Sequence, residues 1–330
     1  MFFVFFIFVS MKNNSPFGFA KVSKVLVYLF FLAYLTGRAF ADYWLFDIVA
    51  QYSVYTLAFT LVCTALYIYA VRKNQRKSIL FPVLFILCFW QLFMLIRPFY
   101  FGENAKTESP NYKVASVNIY SQNSDVYTLM QFINKEKADL VLLQEVTTKW
   151  QNNLDNLRTL YPYYHEEVRD NNFGIALYSR YPIDSLVVKN YIDDRHPSLW
   201  ATISVGEKKI QVLGTHPVPP LPNQARFEKR NLQLELMKKD IEESDHENIL
   251  LVGDLNCTLF SPNINKIKND KLKDARLGFG FQNSWNAFVP IFRTNIDHIW
   301  VSKNIKVTNF YRGDFIESDH FPIIAELKIE

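Results

Sequence analysis

Cysteine is scarce, with three in 330 residues, which excludes a small scaffold stapled by disulfides. Acidic residues are scarce in one part only. Residues 1–106 hold Asp42, Asp47 and Glu103 against ten Lys and Arg, an excess of seven positive charges. Residues 107–330 hold 26 basic and 29 acidic residues, a net −3. The overall charge of +4 thus joins two unlike parts and is no sign of a uniformly basic surface. There is no internal repeat, and no low-complexity tract beyond the apolar runs. What is abundant is apolar: 49% of the chain is hydrophobic, which excludes a disordered protein.

The apolar residues concentrate where acid is missing. Val54–Val71 and Ile79–Ile96 each run 18 residues without a charge, the length a membrane-crossing helix needs. A third run, about 22–41, holds Lys24 and Arg38 near its ends, where long cationic side chains reach the interface. Three spans are expected, at about 22–41, 45–71 and 79–101, making 1–101 a membrane anchor. Met1–Val9 is apolar but too short to span, and it lacks the positive start of a signal peptide; Met11 is an alternative start. Lys12, Lys21, Lys24, Arg72, Lys73, Arg76 and Lys77 fall on one side of the spans, and Arg38, Arg97 and Lys106 on the other. The positive-inside rule then places the N-terminus in the cytoplasm and everything after the third span outside the cytoplasmic membrane. Residues 102–111 are polar, contain Pro110 and read as a linker.

Residues 112–330 suffice for one domain. Strands are expected at 113–118, 139–145, 175–179, 199–205, 210–215, 249–253, 297–301, 307–311 and 321–329. Helices are expected at 125–136, capped by Ser124, at about 150–161 from the spacing of Trp150, Leu154, Leu157 and Tyr161, and at 224–243. The continuous apolar run DLVLLQE suits a strand buried on both faces. Strict alternation from Phe321 to Ile329 suits one buried on a single face. The set predicts an α+β fold of stacked sheets flanked by helices.

Polar groups stand where the apolar strands stop: Asn118, Glu145, His216, Asp254, Asn256, Asp297, Asp319 and His320. Singly, an Asp or Asn after a strand is more often a turn former than a ligand. Gathered on one rim, they have the usual placement of an active site. On an extended backbone Asp254 and Asn256 would point the same way. Asn118, Glu145 and Asp319 offer hard oxygen donors, suited to Mg2+ or Mn2+. His216 and His320 are the candidate acid and base. No covalent nucleophile is evident, Cys257 included. The set favours attack by activated water on a phosphoester.

The ordered pieces VASVN (114–118), DLVLLQE (139–145), GIALYSRYPI (174–183), GTH (214–216), VGDLN (252–256), NIDHIWVS (295–302) and SDHFPI (318–323) resemble the endonuclease/exonuclease/phosphatase superfamily across nearly all of 112–330. The resemblance implies a four-layer sandwich of two packed mixed sheets with helices outside. It implies that Asn118, Glu145 and Asp319 hold the metal and that Asp297 orients His320. It implies that His320 serves as base or phosphate contact, and that Asp254 positions or deprotonates water. Asn256 would stabilise the transition state, and His216 would contact phosphate or protonate the leaving group. His298 stands where relatives often carry Tyr and is given no role. NIYSQN (118–123), THPVPP (215–220) and KDARLGFGFQNSW (273–285) resemble a membrane-anchored bacterial subgroup that includes glycopeptide-resistance proteins acting on a polyprenyl pyrophosphate.

The function expected is therefore a metal-dependent phosphoesterase acting on lipid-linked phosphate at the outer face of the membrane, with no nucleic-acid partner. A nuclease or sphingomyelinase-type phosphodiesterase is the alternative. A non-catalytic binding module is disfavoured because the full residue set is present.

Overall fold

In a computed structural model the described residues are 16–73, 79–102 and 109–330. Met1–Val9, Lys12, Arg76, Lys77, Lys106 and most of the expected linker lie outside them. The chain folds as two units: the N-terminal helices to Pro98 with Phe260–Pro262, and Phe99–Leu259 with Asn263–Glu330.

The first unit contains α1 (Pro16–Ala39), α2 (Trp44–Gln51) and α3 (Ser53–Lys73), with α4 (Leu80–Tyr100) ending just beyond Pro98. Gly18–Ala39, Ser53–Arg72 and Leu80–Tyr100 have mean hydropathies of 1.6, 1.8 and 2.1 over their most apolar stretches, and each is long and apolar enough to cross a bilayer. Leu29, Leu32, Ile86, Phe89 and Trp90 are exposed on them, as a lipid-facing surface requires. The expected second span, 45–71, is not one helix. The backbone breaks at Tyr52, whose N–H folds back to Val49 O, and the Ser53 hydroxyl takes Ala50 O. The apolar pattern of 45–51 belongs to a separate short helix.

The second unit has two six-stranded mixed sheets. The first carries β1 (Tyr112–Asn118), β2 (Leu140–Gln144), β3 (Tyr163–Glu167), β4 (Ile175–Ser179), β11 (Lys306–Arg312) and β12 (Ile323–Lys328), in the order β11-β12-β1-β2-β4-β3. The second carries β5 (Ile183–Lys189), β6 (Ser198–Val205), β7 (Lys208–Thr215), β8 (Ile249–Asp254), β9 (Leu272–Asp274) and β10 (Asp297–Ser302), in the order β5-β6-β7-β8-β10-β9. The parallel pairs β1–β2 and β7–β8 are bridged by α5 (Val126–Glu136) and α8 (Gln224–Glu243), since a parallel pair needs a crossover. The short helices α6 (Thr148–Gln151) and α7 (Asp155–Leu160) follow β2.

Alternation along the central strands builds the layers. Leu140 and Leu142 face the core between the sheets, with Val212, Leu250, Val252 and Ile299. Val141 and Leu143 face α5, where Leu129, Phe132 and Ile133 cover them. Leu213, Leu251 and Trp300 meet Leu234, Met237 and Ile241 of α8. The result is helix, sheet, sheet, helix, the four-layer arrangement expected.

Several local readings change. Asp125, not Ser124, caps α5, accepting from Thr128 N at 3.0 Å. The helix expected at 150–161 is two helices, because the Asn153 amide turns back onto Lys149 O and ends α6; Trp150, Leu154, Leu157 and Tyr161 are all buried nonetheless. Phe321 precedes β12, and Ile324 packs against the helix side, so β12 is buried on both faces. β3, β5 and β9 were not anticipated. All are sheet edges, where polar side chains are tolerated and no apolar run develops.

Gly253 has φ +142°, and a Cβ there would lie 1.9 Å from Thr215 O on the neighbouring strand. Gly253→Ala is expected to cost at least about 2 kcal/mol through backbone strain and steric conflict, read as a fall in the melting point by near-UV circular dichroism. An unchanged melting point would refute the close approach.

Candidate active site

β8 and β10 are antiparallel neighbours, and their register sets Asp254 directly opposite Asp297. Both are buried, so two carboxylates share a site that water cannot screen. His320 resolves the conflict. Its Nδ1 donates to Asp297 Oδ2 at 2.8 Å, and its Nε2 lies 3.7 Å from Asp254 Oδ2. Ser284 Oγ donates to the same Asp297 oxygen at 2.5 Å, and the buried Arg276 guanidinium takes the Asp297 carbonyl. Burial alone would lower the His320 pKa, but Asp297 and then Asp254 outweigh it and push it up to about 10. His320 is thus an imidazolium at neutral pH. Burial acts against the Asp297 carboxylate, but His320 beside it holds it below the ordinary range. Burial, reinforced by Asp297, raises Asp254 well above that range.

His216 follows β7, with Nε2 3.6 Å from Asp254 Oδ2, and its buried Nδ1 has no hydrogen-bond partner among the described residues. Burial, then the neighbouring His320 charge, lowers its pKa to about 3, so it is neutral. Asn256 departs from expectation. The strand ends at Asp254, and Asn256 turns into the left-handed region at φ 49°. Its N–H donates to Asp254 Oδ1 at 2.8 Å and its amide Nδ2 to Pro217 O at 3.0 Å. The backbone between the two residues is therefore a turn, not extended, and the Asn256 amide fixes the loop after His216.

The oxygen donors gather at the ends of β1 and β2. Asn118 lies opposite Gln144 in the parallel register, which brings its Nδ2 3.2 Å from Glu145 Oε1. Glu145 sits at φ 67°, uncommon for a side-chain-bearing residue, and takes Ser121 N on its other oxygen at 2.8 Å. Ser318 Oγ bonds Asn118 O at 2.8 Å, tying the 318–320 segment to β1. Asp319 Oδ2 accepts from Trp285 Nε1 at 3.2 Å, and its Oδ1 is buried without a hydrogen-bond partner among the described residues. Burial raises the Asp319 pKa, with Glu145 adding to it against His320. An orphaned buried carboxylate oxygen costs free energy unless something positive meets it. With the Glu145 carboxylate as its electrostatic neighbour, this fits a hard divalent cation. Asp254, Asp297 and His320 also bring ligand atoms within 4.8 Å of one another. Those atoms are engaged with each other, as an oriented imidazolium and its carboxylates, and leave no open coordination set.

The sequence matching the Endonuclease/Exonuclease/phosphatase family covers residues 115–320. The chain belongs to this family. Its members are hydrolases of phosphoester bonds and generally depend on a divalent metal. Comparison with curated proteins finds no match. Among solved structures, truncated TDP2 of Caenorhabditis elegans is similar at 18% identity and TM-score 0.55, covering 66% of this chain and 97% of that one. An endonuclease/exonuclease/phosphatase of Beutenbergia cavernae is similar at 18% identity and TM-score 0.55, covering 67% and 72%. A conserved protein of unknown function from Enterococcus faecalis is similar at 17% identity and TM-score 0.53, covering 66% and 100%. At these identities the likeness shows the shared fold.

The structure thus brings Asn118 to Glu145, His216 and His320 to Asp254, and Asp297 to His320. It also supplies partners that strand-end reading misses: Ser121, Arg276, Ser284 and Trp285. The last three lie in or beside KDARLGFGFQNSW, which has little regular structure and so gives no periodic signal. His298 lies within β10, bonded to Asp274 and to Cys257 O, and is structural. Asp297→Asn is expected to drop the His320 pKa by about 1–3 units, from about 10 toward the ordinary imidazole range. Ring-proton NMR titration with chelator present reads this directly, and an unmoved titration would show that Asp297 does not hold the charge.

Proposed function

We propose that the protein is a metal-dependent phosphoesterase acting on a lipid-linked phosphate at the outer face of the cytoplasmic membrane. The observation that carries the phosphoesterase reading is the joint site: the buried Asp319 Oδ1, unpartnered among the described residues, with Glu145 and Asn118, beside a fixed imidazolium and a buried carboxylate. Asn118, Glu145 and Asp319 would hold Mg2+ or Mn2+, which supplies Lewis-acid polarisation of the phosphoryl oxygen.

The protonation states divide the remaining labour. His320, held cationic by Asp297, cannot accept a proton near neutral pH. It serves as a fixed positive contact for phosphate charge. Asp254, made more basic by burial and by the facing Asp297, is the proton acceptor for the attacking water. Neutral His216 contacts a phosphate oxygen. Asn256 acts through its turn, setting the Asp254 and His216 loops.

Two features support a lipid substrate. Among the described residues, three helices are long and apolar enough to cross a membrane. Beside the site, Ala287 N donates to Asp319 O at 2.7 Å, and the loop beyond it exposes Phe288, Val289, Ile291 and Phe292, the last at 58%. Such a run of exposed apolar residues marks an interaction surface. Lys12, Lys21 and Lys24 at or before the start of the first apolar helix, with Arg72, Lys73, Arg76 and Lys77 about the connection of the last two, outnumber Arg38, Arg97 and Lys106, which supports an extracytoplasmic site. A nuclease is the second reading, favoured by one observation: similarity to the Danio rerio TDP2 structure solved with a single-strand DNA product, at 15% identity and TM-score 0.56, covering 66% of this chain and 99% of that one.

The full-length protein in detergent is expected to release phosphate from a lipid phosphate with Mg2+ or Mn2+. Glu145→Ala and His216→Ala should each lower kcat/KM at least about 100-fold, and Glu145→Ala should also weaken Mn2+ binding by calorimetry. Full turnover in Glu145→Ala would overturn the metal assignment. Cleavage of oligonucleotide but not lipid phosphate would establish the second reading.

A further inference from the structure

Residues 276–285 form a strap with LGFGF (277–281) in its middle. Both ends of the strap are fixed on the candidate site. At one end Arg276 takes the Asp297 carbonyl. At the other, Ser284 Oγ donates to the Asp297 carboxylate at 2.5 Å, and Trp285 Nε1 donates to Asp319 Oδ2 at 3.2 Å. Ser284 O also accepts from Phe321 N at 3.0 Å, and Trp285 N donates to Thr294 O at 3.0 Å. The strap thus supports two carboxylates at once: the one that fixes the imidazolium and the one that would hold the metal.

Its middle is clasped by Phe99–Gly102, which belong to the same unit. Phe99 is buried. Its carbonyl accepts from Gly280 N at 2.6 Å, and its ring meets Phe281 edge-on with centroids 4.9 Å apart. The Tyr100 ring meets Phe281 edge-on at 5.8 Å. At Gly102 the two backbones touch. A Cβ there would lie 2.5 Å from Gly278 N and 2.6 Å from Leu277 C, so only glycine permits the approach. Beyond Phe281, the Gln282 side chain closes the turn, donating to Phe279 O at 2.8 Å and accepting from Arg312 N at 3.0 Å. Ser284 and Trp285 follow directly. An irregular segment has no ladder or helix to hold it, so its position depends on contacts of this kind.

We propose that Phe281 is a positioning residue for the metal site: gripped by Phe99 and Tyr100, it holds the strap that sets the Asp319 and Asp297 carboxylates. The inference rests on the reading of Asp319 as a metal ligand. Phe281 acts through Trp285 and Ser284. The Trp285 indole takes Asp319 Oδ2 and leaves Oδ1 facing inward, which fixes the oxygen offered to a cation. A loosened strap lets that carboxylate rotate. Partners that orient a ligating group typically carry about 10–100-fold in metal affinity. A ring that served only the core would lower stability when removed and leave Trp285 in place.

The test uses the full-length protein in detergent, labelled with fluorotryptophan, with the Trp285 fluorine signal assigned by its loss in Trp285→Phe. With chelator present, Phe281→Ala should shift or broaden that signal, and Phe281→Tyr, which keeps the ring, should restore it. Calorimetric titration with Mn2+ should show affinity weakened at least about tenfold in Phe281→Ala and in Trp285→Phe, and nearly restored in Phe281→Tyr. Phe281→Leu carries the same readouts if the alanine variant fails to fold. Phe99→Leu should weaken Mn2+ binding as Phe281→Leu does, and the double variant should weaken it no further, because both act through one contact. Met237→Ala, in the core between α8 and the second sheet, should lower the melting point and change neither the Trp285 signal nor Mn2+ affinity. An unmoved Trp285 signal in Phe281→Ala would overturn the strap. A moved signal with unchanged Mn2+ affinity would overturn its role at the metal, and so would an equal response in Met237→Ala. A wild type that binds no Mn2+ would overturn the metal reading and with it this role, while the Trp285 signal would still report whether Phe281 holds the strap.

Discussion

Two buried carboxylates facing each other across a strand pair are the constraint on which the site depends. Asp254 and Asp297 are fixed opposite each other by the β8–β10 register, and neither can move away without unpairing the sheet. Like charges so close cannot both stay ionised without a counter-charge. His320 supplies it, and the segment that carries it is correspondingly well held. Ser318 Oγ reaches Asn118 O on the other sheet, and His320 N returns to Ser318 Oγ. Trp285 bridges to His320 in backbone pairing while its indole holds Asp319. One electrostatic demand thus draws residues from both sheets to a single point.

The layered fold makes that convergence possible. Each sheet has one parallel pair, and each parallel pair ends in a functional group: Asn118 beside the β2 end at Glu145, and His216 beside the β8 end at Asp254. Parallel neighbours finish on the same side, so their terminal side chains emerge together. Burial of both sheet faces leaves these rims as the places where polar groups can gather. The left-handed backbone at Glu145 and Asn256 shows local strain where the chain leaves the strands, as functional turns often do.

Much of this is legible in the sequence, for a physical reason. Central strands are buried on both faces, so DLVLLQE and ILLVGD announce themselves as apolar runs, and the polar residue that ends each run is conspicuous. Edge strands such as LKD at 272–274 pair on one side only and carry no such signature. The helix cap at Asp125 and the break at Asn152–Leu154 depend on single side-chain hydrogen bonds, which periodicity does not register. In the site, the ends of strands are readable, but their supports are not. Arg276, Ser284 and Trp285 act from an irregular segment, and a buried Arg in an irregular stretch looks in sequence like any surface cation. Asn256 shows the opposite limit: the residue is conspicuous, but its geometry is a turn that the expectation of extended backbone misplaces.

The charge distribution gains meaning when followed into the structure. The excess of Lys and Arg in the first 106 residues accompanies helices able to cross a membrane, and the remainder is slightly acidic. Within that acidic remainder, the cations that matter are local. His320 is positive because two carboxylates demand it. Net charge would predict little affinity for a phosphate group. Placement predicts the reverse, because a cation in a concave, partly desolvated site acts at short range, where distant surface acids are screened within about 8–10 Å. A cationic contact for phosphate is therefore compatible with a unit of slightly negative net charge.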